Sequence, residues 1–488
     1  MHYYKQTILL SAAAATLALA GSLNAQVPNN VPKEYADLYS SLQTSLTSFT
    51  QSIPTGAKFP TLYASQLLSV SSENIDNILR VNAIDSAKQE MTALEALGVQ
   101  AVTFHINFPV LYAPFYEDQT QYQQILNFYQ SVVSEARGRG LKVIIETQVA
   151  KPGLYAENKD ASEYIQALSW NDYINGRAQN AANIAQYLRP DYLVGITEPD
   201  TEGSMSGHRE AAGLRGSVQM LGAILTAVRG VAVGVPVGAG VGTWQQSYDS
   251  FLKSYAAAGA DFLDLHIYPV NRDFLKRALT AADIARQAGK PITLSEAWLH
   301  KQRDSELANP DPSTYLQRNV YSFWAPLDTK FLQAMNALAN YKGFTFVSPG
   351  YSCYYYAYLN TTSPTATESQ AMQAAGAALA VGSFTSTGLA YENLILPAPD
   401  KTAPAVPPAP AIYKANIGVS LSWNATTDNV GVAGYRIYKN GSLIGTTSLT
   451  TFKDNSGRVG STDSYTLTAF DAVGNSSPRS VVVKTPVH

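Results

Sequence analysis

The apolar positions of the chain fall into two alternating kinds. Short runs rich in Val, Ile, Leu and Phe lack strict alternation, as strands buried on both faces do: 62–70, 101–108, 141–149, 191–198, 235–242, 261–268, 291–296 and 344–348. Between them lie longer stretches whose apolar residues recur at helical spacing: 83–97, 122–137, 173–188, 214–228, 248–258, 274–288 and 318–341, with a last one at 368–380. Several of these predicted helices stop at a glycine that leads at once into a strand, at Gly98, Gly140, Gly259, Gly289 and Gly343. Glycine there supplies the positive φ of a helix C-terminus. Eight strand–helix repeats within about 350 residues predict a (β/α)8 TIM barrel of the α/β class. A doubly wound open sheet would carry a Gly-rich phosphate loop after its first strand, which this chain lacks.

The pattern changes after residue 395. Six prolines between Leu396 and Pro410 predict a stiff, extended connector. Beyond it the apolar period becomes two, in 419–423, 435–438, 443–446 and 463–470, punctuated by Asn440-Gly441 and Val473-Gly474-Asn475. This predicts a small all-β sandwich with Trp423 in its core. The expected organisation is a barrel over 26–395, a linker over 396–410 and a sandwich over 411–488.

Composition adds exclusions. A chain of 488 residues with 46% hydrophobic and 10% aromatic content has enough apolar surface for a large core and more than one folded unit. A formal charge of −3 and no Lys/Arg run argue against a nucleic-acid partner. Lys5, the apolar stretch 8–20 and the small residues before Gln26 predict an export signal over 1–25, cleaved after Ala20 or Ala25, and a secreted or periplasmic product. No later run of about 20 apolar residues predicts stable membrane insertion. The single cysteine, Cys353, cannot form an intramolecular disulfide and is expected to be a buried small hydrophobe.

Candidate chemistry centres on Glu198 and Glu296, which end the fourth and seventh predicted strands. The C-terminal rim of a barrel is where catalytic groups collect. Two carboxylates there suffice for glycoside hydrolysis: an acid protonates the leaving oxygen, and a carboxylate attacks or stabilises the anomeric carbon. A single glutamate after an apolar run is more often a solvent-facing loop carboxylate than a catalyst; the pairing is what points to catalysis on a carbohydrate. His105 and Glu146, near the ends of strands two and three, are candidate sugar-binding groups or hydrogen-bonded strand ends. Asp200 and Glu202 follow Glu198 in a loop, as candidate substrate contacts or as a solvated acidic loop or helix cap, and Trp244 and Trp298 follow strands five and seven, where an indole face would stack on a pyranose or pack in the core. Trp324 is expected in the core. Two other readings compete. A metal-dependent barrel hydrolase would use His105 and His266, but no His-x-His pair follows strand one and six histidines leave few ligands, so no metal or cofactor is expected. A catalytically inactive, glycan-binding barrel differs from an enzyme only in Glu198 and Glu296.

With its glutamates at strands four and seven, the barrel resembles the retaining (β/α)8 glycosidases of the 4/7 superfamily. The resemblance implies Glu198 as acid/base, Glu296 as nucleophile and carboxyls about 5–5.5 Å apart. The run His266-Ile267-Tyr268-Pro269 resembles that clan's strand six and implies that Tyr268 hydrogen-bonds the nucleophile, with His266 beside the substrate. Thr197 stands where the clan places Asn to hold the sugar's 2-hydroxyl. No Trp ends strand eight, so Tyr351 is the candidate aromatic there. Sharing a pocket with a second carboxylate is expected to raise the pKa of Glu198 and leave Glu296 ionised. Residues 402–488, with Leu421-Ser422-Trp423, Thr427 to Tyr435 and Tyr465 to Asp471, resemble a fibronectin type III domain, which implies a spacer or adhesion role.

Overall fold

A computed structural model describes residues 27–54, 59–72, 78–151, 155–156, 159–308, 312–360, 366–396, 402–414, 418–428, 432–447, 449–457, 461–471 and 475–485. The expected export signal, Val473 and Gly474 of the predicted turn and part of the proline-rich connector lie outside the described residues; 402–410 of the connector has no regular secondary structure.

Eight strands close into a parallel barrel: β1 (Leu62–Gln66), β2 (Ala101–His105), β3 (Lys142–Glu146), β4 (Tyr192–Ile196), β5 (Val237–Gly242), β6 (Phe262–Ile267), β7 (Ile292–Ala297) and β8 (Phe346–Pro349). Each pairs with its sequence neighbours, and β8 returns to β1 with Leu62 opposite Phe346. All eight predicted strands are present, and β1, β2, β3, β4 and β6 end earlier than their apolar runs, so Thr197, Glu198 and Tyr268 sit just past the ladder. That is where a rim side chain must be to meet a ligand.

The main helices are α1 (Lys33–Ser52), α2 (Ala83–Ala96), α3 (Gln119–Gly138), α4 (Trp170–Leu188), α5 (Pro199–Ser206), α6 (Leu214–Val231), α7 (Tyr248–Ala258), α8 (Phe274–Gln287), α9 (Ala325–Lys342), α10 (Glu368–Ala380) and α11 (Ser386–Ile395). The five predicted glycine stops all have positive φ. The sequence reading did not anticipate α1, α5 or α11. Helix α1 buries Leu38, Tyr39, Leu42, Leu46 and Phe49, a stripe at helical spacing, and packs on α9. Tyr39 there stacks on the buried Trp324 at 5.7 Å between ring centroids.

The C-terminal region forms two antiparallel sheets. Strands β9 (Ala411–Lys414), β10 (Val419–Ser422) and β13 (Thr451–Asp454) make one. Strands β12 (Ser442–Thr447), β11 (Val432–Lys439), β14 (Ser464–Asp471) and β15 (Val483–Lys484) make the other, in that order. Asn440 and Gly441, with φ of 51° and 86°, form the tight turn the sequence predicts. Val419, Leu421, Trp423, Tyr435, Ile437, Tyr465, Leu467 and Ala469 fill the core. Among the described residues no helix is long and apolar enough to cross a membrane.

One buried ion pair holds the rim in place. Arg177 on α4 has no accessible surface; its Nε donates to Glu202 Oε1 at 2.5 Å, and its Nη2 donates to the carbonyls of Thr147 at 2.9 Å and Gly195 at 3.0 Å. The Tyr173 hydroxyl donates to the same carboxylate at 2.6 Å. Glu202, expected as a possible substrate contact, is therefore the buried anion that ties α5 to the ends of β3 and β4. Glu202→Ala leaves the guanidinium unpaired and is expected to lower stability by about 3–5 kcal/mol in urea unfolding; a loss below about 1 kcal/mol would show that the pair does not anchor this rim.

Candidate active site

Both strands that carry the central glutamates are bulged. Between β4 and β5 the register moves from Val194 opposite Gly238 to Ile196 opposite Ala239, which leaves Gly195 as an extra residue. Between β6 and β7 it moves from Leu265 opposite Leu294 to His266 opposite Glu296, which leaves Ser295 as an extra residue. A bulge breaks the two-residue alternation and re-aims the side chains after it. Ser295 and Glu296, although adjacent in sequence, therefore both reach the same acidic cluster. At the end of β4, Pro199 restricts Glu198 to extended backbone (φ −133°, ψ 94°) and starts α5 at once, fixing Glu198 at a strand–helix junction.

The centre of the cluster is His266. Its Nδ1 lies 2.7 Å from Glu198 Oε1 and its Nε2 lies 3.0 Å from Glu146 Oε2. With both carboxylates ionised, both ring nitrogens donate and the ring is an imidazolium, the form that the neighbouring charges of Glu146 and Glu198 favour. The Ser295 hydroxyl bridges Glu146 Oε2 (3.0 Å) and Asp264 Oδ2 (2.6 Å), and Glu198 Oε2 accepts from the Thr201 hydroxyl at 2.6 Å. His105 Nε2 sits 3.7 Å from Glu296 Oε2 and 3.9 Å from Glu146 Oε1. One oxygen each of Glu198 and Glu296 and a nitrogen of His266 lie within 4.8 Å of one another. Tyr268 lies close enough to Glu296 for that carboxylate to raise its pKa. Strand β5 makes room for this: a Cβ at Gly240 would come within 2.9 Å of Asp264 Oδ2.

Charge distributes unevenly. Burial alone would raise Glu198, but the hydrogen bond and charge of His266, with the Thr201 hydroxyl, hold it below the ordinary glutamate range. Burial raises Glu296, and the charges of Glu146 and Glu198 add to this against the two histidines. The expectation that Glu198 is the raised carboxyl is therefore reversed, because His266 pairs with Glu198 at hydrogen-bond distance and only approaches Glu296, at 3.5 Å. Burial lowers His266, yet Glu146 and Glu198 together lift it well above the usual histidine value. Burial pushes Asp264 up to about 7. Tyr268 rises through burial and the charge of Glu296.

Several candidates occupy different roles from those expected. His266 and Glu146 have no accessible surface and His105 is 2% exposed, so they lie behind the rim glutamates. Thr197 is fully buried. Trp298 is fully buried too, stacked on Tyr354 at 5.8 Å and edge-on to Tyr355; it supports the floor and offers no face to a sugar. Asp200 and Trp244 do reach the mouth, both partly exposed, with the indole N–H donating to Asp200 Oδ2 at 2.9 Å. Burial and the charge of Glu198 raise Asp200. Tyr351, partly exposed with φ of 53°, has its ring 6.3 Å from that of Tyr268. Sequence reasoning missed Asp264, Ser295, Thr201 and His300, which stacks on Tyr268 at 4.3 Å. Asp264 was legible: with His266 and Tyr268 it follows the strand period of two on one face. Lys301, just past β7, is buried in an ion pair with Asp328.

Donor atoms of His105, Glu146 and Glu296 also lie within 4.8 Å of one another. A cation there would compete with the imidazolium of His266, whose protonated nitrogens have no lone pair to offer. The donor set suits a hydrogen-bonded acid network better than a metal centre.

No protein-family model matches the chain. It is 46% identical over 85 residues to chitinase Chi52 of Paenibacillus xylanexedens, covering 17% of this chain and 16% of that protein. It is 46% identical over 83 residues to an α-amylase of Niallia circulans (16% and 6%) and 37% identical over 86 residues to exoglucanase B of Cellulomonas fimi (17% and 8%). The chain thus spans no more than 16% of the length of these curated relatives. Among solved structures it is similar to a GH5_18 protein of Streptomyces cattleya in complex with GlcNAc, at TM-score 0.43 and 15% identity over 72% of this chain and 85% of that one. A Cellulomonas fimi endo-β-1,4-mannanase double mutant gives TM-score 0.39 and 15% identity over 90% and 98%. Likenesses of this size do not fix a family.

Trp298→Ala is expected to act as a core truncation, lowering stability by about 3–5 kcal/mol in thermal or urea unfolding. An unchanged unfolding midpoint together with weakened glycan binding would return Trp298 to the cleft.

Proposed function

We propose that the chain is a secreted glycoside hydrolase that cleaves β-linked oligo- or polysaccharides with retention, residues 26–395 forming the catalytic unit. The observation that carries this reading is the convergence of Glu198 and Glu296, from strands four and seven, on one mouth with an oxygen of each within 4.8 Å. That closeness supports the short carboxyl spacing of double displacement, about 5–5.5 Å, over the about 6.5–9.5 Å of an inverting pair. The names of the relatives, chitinase, α-amylase and exoglucanase, support a polysaccharide-degrading context, with the fibronectin type III-like region 411–488 as an appended spacer or adhesion module.

In this reading Glu296, hydrogen-bonded by Tyr268, attacks the anomeric carbon, and Glu198 serves as acid and then base. Trp244, Asp200 and Tyr351 line the mouth, where aromatic faces and a carboxylate suit sugar rings and hydroxyls. One observation favours the reverse assignment, Glu198 as nucleophile and Glu296 as acid: Glu296 is the carboxyl whose pKa is raised.

Each of Glu198→Gln and Glu296→Gln is expected to lower kcat on aryl glycosides and polysaccharides by roughly 10³-fold or more. A parent without turnover on any of a broad panel would favour a glycan-binding barrel, and unchanged turnover in Glu296→Gln would refute the nucleophile. The kcat/KM profile should be bell-shaped. Its acid limb belongs to Glu296, which attacks only when ionised, so activity is lost as pH falls through a value above the ordinary glutamate 4.5. A rate that rises monotonically with pH contradicts this.

A further inference from the structure

We propose that Glu146, acting through His266, stores the proton that Glu198 delivers to the leaving group, an inference that rests on the glycosidase reading above. Glu146 is a positioning residue: it has no accessible surface, lies behind the rim and meets the reacting atoms only through the imidazole. A neutral imidazole would donate from one nitrogen and turn a lone pair on the other towards a carboxylate. Here carboxyl groups meet both nitrogens at 2.7 and 3.0 Å, and with Glu146 and Glu198 ionised this geometry is that of the doubly protonated ring. The same contact explains how an ionised Glu198 serves as an acid: its proton waits one hydrogen bond away.

The groups facing His266 come from β3, the end of β4, β6 and β7. Glu146 projects from β3, Glu198 from the end of β4, and Asp264 from β6 at 3.8 Å. Ser295 projects from β7 at 3.1 Å and Glu296 from β7 at 3.5 Å. Tyr268 is edge-on at 6.4 Å, and His105 on β2 faces Glu146 and Glu296. Of these, Glu146 and Glu198 hold the ring by direct charge-assisted hydrogen bonds, and only Glu198 reaches the substrate side; the others stand farther off or share a hydroxyl.

The proton balance closes. The ionised Glu198 takes the Nδ1 proton of His266 and passes it to the leaving oxygen, which keeps the electron pair of the breaking glycosidic C–O bond. Glu296 gives an electron pair to the anomeric carbon. His266 is left neutral, its remaining proton on Nε2 towards Glu146. In the second half water bonds to the anomeric carbon and its proton passes through Glu198 to Nδ1. The bond to Glu296 breaks and returns its pair to the carboxylate. One glycoside and one water are consumed.

Glu146→Gln keeps the shape and removes the charge. It is expected to lower kcat/KM roughly 100-fold on a glycoside with a poor leaving group, which needs the proton, and less than about threefold on the 2,4-dinitrophenyl glycoside of the same sugar. The basic limb of the pH profile should move to lower pH, because Glu146 raises the His266 pKa and its charge is gone. The ratio of two rates from one sample does not depend on the folded fraction. Ser295→Ala, which removes the hydroxyl that holds Glu146, provides a second variant expected to act in the same direction. Equal losses on both substrates with an unmoved basic limb would make Glu146 merely structural and overturn the proposal. A parent that hydrolyses no glycoside overturns the glycosidase reading instead, and ring ¹⁵N NMR then tests the proton store by itself. His266 should remain doubly protonated at about pH 8 in the full-length parent and become neutral there in Glu146→Gln; a neutral His266 in the parent at that pH overturns the store.

Discussion

The acidic cluster depends on one cation. Glu146, Glu198, Asp264 and Glu296 converge where water is largely excluded, and each ionised carboxylate there carries a desolvation cost of several kcal/mol. His266 sits among them and donates to two, which lets Glu146 and Glu198 stay charged while burial keeps Asp264 and Glu296 shifted upward. Barrel closure makes this possible, because the four acids and the histidine come from β3, the end of β4, β6 and β7. A chain that formed the same strands without closing them would leave the imidazolium without its partners.

Backbone devices convert that closure into aim. The extra residues Gly195 and Ser295 shift the strand phase just before each rim glutamate, and Pro199 pins Glu198 at the junction with α5. Arg177 then ties the carbonyls of Thr147 and Gly195 to Glu202, so the ends of β3 and β4 and the first turns of α5 are held by one buried guanidinium. Removing either partner of a buried pair costs far more than the pair contributes, which makes this clamp sensitive to single changes. The precision of the acid cluster thus rests on groups that never touch a ligand.

Much of the fold was legible because it is written in periods. Apolar runs and glycine stops locate eight strands and their helices, and the switch to period two marks the sandwich. Glu198 and Glu296 stood out because a carboxylate at the end of an apolar run is anomalous in a core and ordinary at a barrel rim. Helix α1 was missed because it lies outside the strand–helix repeat that guided the reading. The bulges at Gly195 and Ser295 leave no mark in residue type, and without them alternation cannot say which side of β7 faces the mouth. Trp298 was misread for that reason: its distance past a strand says nothing about whether it points to the cleft or beneath it. The pKa order of the two glutamates was misread because it is set by His266, whose nearer partner only the folded geometry decides.

The central claim is tested most directly by trapping. Incubating the full chain with an activated 2-deoxy-2-fluoro glycoside of a sugar that it hydrolyses, followed by peptide mass spectrometry, should place one covalent sugar on Glu296. A label on Glu198 would exchange the two roles, and turnover of such a sugar with no label and an inverted anomeric product would contradict double displacement altogether.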